Sequence, residues 1–193
     1  MTKFILVGGY VRKAADGGKA FCEELVRGFD VPVKILDCFF AEPEELWARK
    51  FAIDKEFFST QLPEKDLELR MASVEVFAAQ VQWADAIFLR GGLNDRLFPA
   101  LRVDLAWTKH LGGKTLAGTS AGADALAKYT WGLDSLQLEE GLGLVPVKVL
   151  VHYLSDYNAP NIDWNKAEAE LRAFKEDLPL VALREGEFKV FEK

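Results

Sequence analysis

The sequence predicts an α/β fold: a mostly parallel central sheet with helices on both faces. Short apolar runs rich in β-branched or aromatic residues alternate with longer segments of helical period, the pattern that strand-helix-strand crossovers leave in a sequence. The chain has 193 residues, half of them hydrophobic, enough for a substantial core. No internal repeat, low-complexity tract or linker divides it, so residues 1–193 are expected to form a single catalytic domain.

The strands are expected at Lys3 to Val7, Val33 to Phe39, Ala86 to Leu89, Thr115 to Ala117, Val147 to Tyr153 and Leu180 to Leu183, with a last one at Glu187 to Phe191. Gly17-Gly18 opens a helix running to about Arg27, and Gly28 stands where a left-handed cap is cheapest. Pro43 suits the first turn of a second helix carrying Leu46, Trp47, Phe51 and Phe57, since its missing N–H would be unpaired there anyway. From Asp66 to Trp83 two periods compete: Leu67, Leu69 and Met71 alternate, while Val74, Phe77, Ala78 and Val81 follow a helical spacing, and the whole is read as helical. Asn94 to Trp107 predicts one or two helices ending at Gly112-Gly113. A small-residue helix is expected from Ala121 to Lys128. Asp163 to Phe174 is a clearer helix, with Trp164, Ala167, Leu171 and Phe174 on one stripe and Asp163 as its N-cap.

A formal charge of −6 gives no electrostatic reason to expect nucleic acid or an anionic membrane as a partner. Small or neutral substrates fit better. The apolar run Phe4 to Val7 is too short for a signal-peptide core, and no stretch approaches the roughly 18 to 20 residues that spanning a bilayer requires. A cytoplasmic location is expected. Cys22 and Cys38 are in neither metal-binding nor redox spacing and read as packing residues. Gly-x-Gly-x-x-Gly is absent, so no nucleotide fingerprint is present, and neither a cofactor nor a metal is expected.

The run Gly118-Thr119-Ser120-Ala121-Gly122 follows a buried strand and precedes a helix, the context in which Gly-x-Ser-x-Gly acts as a nucleophile elbow. A serine at so sharp a turn holds a strained backbone, and glycine two residues away on either side lets strand and helix pack without clash. Its hydroxyl then projects from the sheet edge, and the helix start aims free N–H groups at the same place, ready for an oxyanion. The alternative is a glycine-rich turn that binds phosphate or merely connects two elements.

A serine hydroxyl needs a base to take its proton. The chain has two histidines. His110 lies in a polar helix end, where histidine usually meets terminal carbonyls. His152 ends the apolar run Val147 to Val151, at the carboxyl end of a strand where open parallel sheets gather their sites, and is the better base. Asp124, Asp134, Asp156 and Glu185 are the carboxylates available to orient it, and sequence position does not choose between them. Phe88-Leu89-Arg90-Gly91-Gly92 ends another buried strand with two residues that allow close backbone approach, so an N–H of Gly91 or Gly92 could complete an oxyanion hole. Gly8-Gly9 is ambiguous.

These residues resemble the peptidase E and cyanophycinase group of serine peptidases, built on a three-layer sandwich similar to class I glutamine amidotransferases. The resemblance is carried by Leu89-Arg90-Gly91-Gly92-Leu93-Asn94, by Gly118 to Ala123, by Gly141 to Pro146 with His152, and by Ala182-Leu183-Arg184-Glu185-Gly186. It implies Ser120 as nucleophile, His152 as base, Glu185 as its orienting partner and the amides of Gly92 and Ala121 as the oxyanion hole. Arg90, Gly91 and Asn94 would then line the substrate site. It also implies a short peptide as substrate, cleaved at an aspartyl residue. A monomer or homodimer is expected. The segment Tyr153 to Asn161 departs from the arginine-bearing stretch associated with aspartyl recognition, and Asp156 would repel an acidic side chain. A weak aspartyl preference is therefore expected. The rival enzyme is an α/β-hydrolase esterase, with Asp134 in place of Glu185. The rival of another class is a non-catalytic binding protein on the same fold. A glutamine amidotransferase is disfavoured, because Ser120 occupies the place of a cysteine thiolate.

Overall fold

In chain order the first elements are β1 (Lys3–Val7), α1 (Lys19–Val26), β2 (Val33–Cys38), α2 (Trp47–Gln61), β3 (Leu67–Met71), α3 (Phe77–Trp83), β4 (Ala86–Leu89) and α4 (Asn94–Arg102). They are followed by β5 (Thr115–Thr119), α5 (Ala121–Leu126), β6 (Ala127–Gly132), β7 (Gln137–Glu140), β8 (Val145–Leu150), α6 (Trp164–Ala173), β9 (Leu180–Ala182) and β10 (Phe188–Glu192). The structure is a computed structural model that describes residues 1–156 and 162–193.

The larger sheet has the order β10-β1-β5-β4-β2-β3. All its pairings are parallel except that of β1 with the edge strand β10. Alternation along each strand sends successive side chains to opposite faces. Ile5, Val7, Ile35 and Phe88 thus pack with Phe21 and Leu25 of α1 and Phe57 and Phe58 of α2. Phe4, Leu6, Leu36 and Ile87 pack on the other face with Phe77, Val81, Leu97 and Trp107. Each face buries its own apolar set, so the sheet is the middle of three layers.

A smaller sheet, β7-β6-β8-β9, lies beyond α5 in the chain. Its parallel strands β6, β8 and β9 pack Tyr129, Trp131 and Leu150 against Ala167 and Leu171 of α6. Asp163 caps α6 as expected, accepting from the Lys166 N–H at 3.0 Å.

Four elements differ from the sequence expectation. Leu67 to Met71 is a strand paired in parallel with β2, so the alternation of Leu67, Leu69 and Met71 was the true signal and the helical period begins only with Val74. The helix after Ser120 ends at Leu126 rather than Lys128, and the chain turns at once into β6, whose Thr130 and Trp131 mix polar and apolar residues too evenly to announce a strand. Pro43 stands one residue before a 3-10 turn, Glu44–Leu46, that leads into α2. The expected strand ending at Tyr153 stops at Leu150, which frees His152 from the ladder.

Candidate active site

Ser120 joins β5 to α5 with φ 53° and ψ −120°, a left-handed conformation that a non-glycine residue adopts only under constraint. The constraint is visible. Its N–H donates to Val7 O at 3.0 Å, and its carbonyl accepts from Ala123 and Asp124 at 2.8 and 3.0 Å. A Cβ on Gly118 would lie 2.3 Å from the Gly122 carbonyl carbon, and one on Gly122 would lie 2.2 Å from Leu89 O. Only glycines allow strand and helix to approach this closely. The N–H groups of Ala121 and Gly122, in the first turn, have no intrahelical acceptor.

His152 is seated by the neighbouring residue of the same strand end, since its N–H donates to Gly8 O at 2.7 Å while Val7 O holds Ser120. It too has a left-handed φ, of 50°. Its Nε2 then lies 3.0 Å from Ser120 Oγ. Gly9 makes room for the ring: a Cβ there would come within 2.1 Å of His152 Cε1. Tyr10 meets the imidazole edge-on, with ring centroids 5.5 Å apart.

Glu185 follows β9, which is stitched to the histidine segment by Tyr153 N–H donating to Leu183 O at 3.0 Å. Its Oε1 lies 3.3 Å from His152 Nδ1. A carboxylate can only accept, so the neutral imidazole carries its proton on Nδ1 and turns the lone pair of Nε2 to the serine. Ser155 Oγ donates to the same Oε1 at 2.5 Å, and Lys13 Nζ lies 2.7 Å from Oε2. Burial pulls the His152 pKa below 6.5; Glu185 and Asp134 oppose this, and the Lys13 charge adds to it.

Of the other carboxylates weighed above, Asp124 is buried in α5 and bonds Thr130 Oγ1 at 2.6 Å and Asn94 Nδ2 at 3.2 Å. Burial lifts its pKa to about 7. Asp134 lines the cavity beside Ser120 and acts on His152 through charge alone, and Asp156 lines a shallower hollow behind Glu185. Among the described residues Glu185 is the carboxylate in hydrogen-bond reach of His152.

A cavity of about 520 Å³ opens at Ser120 and His152 and brings together the predicted Arg90, Gly91, Gly92, Asn94 and Ala121. Arg90 is not a solvated strand end. Its Nε lies 3.1 Å from Asp54 Oδ2, and Arg12 reaches Oδ1 of the same carboxylate at 3.3 Å. Behind Asp54 lies Asp37 of β2, fully buried, its carboxyl pushed well above the usual range by burial and by the Asp54 charge. Lys50 pairs with Glu42 on the cavity wall. Sequence reading missed Gly9, Lys13, Ser155, Arg12 and the Asp37–Asp54 pair. Gly8-Gly9 after the first strand was the available signal; the charged residues look like ordinary surface positions until the fold converges them.

Cys22 and Cys38 are buried thiols, the first pushed up to about 12 by desolvation, as packing residues should be. Among the described residues no cluster of His, Cys, Asp or Glu is suited to a metal, and no helix is long and apolar enough to cross a membrane.

A mostly parallel α/β sheet with a serine elbow and a histidine meeting at its carboxyl edge is the architecture of a hydrolase. More closely, the chain belongs to peptidase family S51, whose sequence model matches residues 52–192. The fold is similar to that of a peptidase from an acI-B1 Actinobacterium, at 22% identity and a TM-score of 0.68, covering 99% of this chain and 83% of that one. It is similar also to that of a proposed peptidase E from Listeria monocytogenes EGD-e, at 16% identity and a TM-score of 0.68, covering 100% and 98%. No curated protein matches significantly.

Proposed function

We propose that the chain is a serine peptidase that hydrolyses short peptides, a peptidase E-like dipeptidase acting through an acyl-enzyme. The observation that carries this reading is the unbroken row from Ser120 Oγ through His152, 3.0 Å on one side and 3.3 Å on the other, to Glu185. As Ser120 Oγ attacks the scissile carbonyl carbon, its proton passes to His152 Nε2, and Glu185 stabilises the imidazolium. The oxyanion is received by the amides of Gly92 and Ala121, where donors fixed in advance stabilise charge without reorganisation. The C–N bond breaks as Nε2 returns the proton to the leaving amine. Water, deprotonated by the same nitrogen, then attacks the acyl carbon and Ser120 leaves with its proton restored.

A fluorophosphonate probe tests the class. Labelling of wild type and none of Ser120→Ala supports the hydrolase; labelling of neither returns the chain to a binding role, and equal labelling of both takes the reactive nucleophile away from Ser120.

Aspartyl preference is expected to be weak. A buried substrate carboxylate requires a cation or several donors of its own, since leaving it unpaired costs several kcal/mol. Here the cavity cations are engaged, Arg12 and Arg90 by Asp54 and Lys50 by Glu42, while Asp134 adds negative charge. Matched substrates with Asp or Asn before the scissile bond should differ less than about tenfold in kcat/KM. A hundredfold preference for Asp, about 2.7 kcal/mol, would mean that Arg90 leaves Asp54 for the substrate, and Arg90→Gln should then abolish it.

A further inference from the structure

Glu185 is held from more sides than orientation of a histidine requires. Lys13 ends the 3-10 turn Val11–Lys13 that follows β1, and its ammonium lies 2.7 Å from Oε2, the oxygen turned away from His152. Ser155, three residues past His152, donates to Oε1, the oxygen that His152 shares. Lys13 does not line the cavity at Ser120; it borders the hollow on the far side of Glu185, with Tyr153, Asp156 and Arg184. Lys13 meets the site through Glu185 and through Tyr10, over whose ring its ammonium sits 4.8 Å from the centroid.

We propose that Lys13 is a positioning residue of the peptidase: by clamping Oε2 it presents Oε1 to His152 Nδ1. This rests on the Ser120-His152-Glu185 reading above. The pair is half sheltered, with side-chain exposures of 46% for Lys13 and 13% for Glu185, so its field is screened less than that of a surface ion pair. The groups facing His152 among the described residues are Glu185 and Asp134, which favour the imidazolium, Lys13, which opposes it, and the uncharged Ser120 and Tyr10. With Lys13 removed, burial alone opposes the carboxylates. The His152 midpoint must then rise, and with it the acid limb of kcat/KM, because the neutral base is lost as pH falls through that midpoint.

Lys13→Met, which keeps the aliphatic stem and removes the charge, and Lys13→Arg, which restores it, are the variants to compare. With two histidines in the chain, imidazole NMR titration gives two curves, and His110→Asn assigns them. The expected result for Lys13→Met is a higher His152 midpoint, an acid limb moved to higher pH, and a kcat lowered roughly tenfold with KM little changed, as loss of alignment produces. Lys13→Arg should recover all three. An unmoved His152 midpoint in Lys13→Met overturns the proposal, whether or not kcat falls, since a merely structural defect would leave it in place. Failure of the peptidase reading shows separately, as undiminished turnover in Ser120→Ala, because the titration is read without turnover.

Discussion

Ser120→Ala and His152→Ala should each lower kcat by several powers of ten, and the double variant should be little worse than either. The two side chains share one proton transfer, so removing the second partner subtracts almost nothing further. The structure makes them interdependent in a physical sense as well. Val7 O and Gly8 O, consecutive carbonyls at the end of β1, accept the N–H groups of Ser120 and His152, so one strand end sets the 3.0 Å contact between Oγ and Nε2. Residual activity in the single variants reflects the oxyanion donors and substrate binding, which neither substitution touches. Steady-state kinetics on a chromogenic peptide, with thermal melts to show that each variant is folded, measures the effect. Turnover of Ser120→Ala comparable to wild type would exclude the serine mechanism, and unchanged turnover of His152→Ala would exclude His152 as base.

The parts of this site that the sequence discloses are those written locally. Gly118, Ser120 and Gly122 announce an elbow because strand and helix must approach across two missing side chains, a condition met within five residues. His152 is legible because an apolar run places it at a strand end. The orienting acid is different in kind. Glu185 is 33 residues from His152, and it comes within reach only because β9 pairs with β8 and carries the chain back to the same edge. Lys13 is 172 residues from Glu185. Nothing local distinguishes either from a solvated charge. The same holds for the second sheet, whose strand β6 begins immediately after a helix of small residues and whose pattern is set by its partners β7 and β8 rather than by its own composition. Misreading Leu67 to Met71 has a local cause, since a five-residue strand leaves too little alternation to outweigh the helical period behind it.

Glu185→Gln should cost on the order of 10⁴ in kcat, whereas Asp134→Asn should stay within a few-fold of wild type. The reason lies in who donates to each oxygen. In the native site both oxygens accept: Oε1 from His152 and Ser155, Oε2 from Lys13. A glutamine keeps one acceptor and gains a donor in place of the other. The Lys13 ammonium carries only donors and claims the remaining oxygen, since a hydrogen bond from a charged group is about twice as strong as one between neutral groups. The amide NH₂ is then turned to His152, where it forces Nδ1 to accept. The imidazole proton moves to Nε2, facing Ser120 Oγ, and the histidine can no longer take the serine proton. If so, removing Lys13 frees the amide to flip, and Glu185→Gln with Lys13→Met should be more active than Glu185→Gln alone, although Lys13→Met by itself lowers kcat. Activity of Asp134→Asn collapsing while Glu185→Gln stays near wild type would instead assign the acid to Asp134, in the esterase-like order, and remove Glu185 from the mechanism.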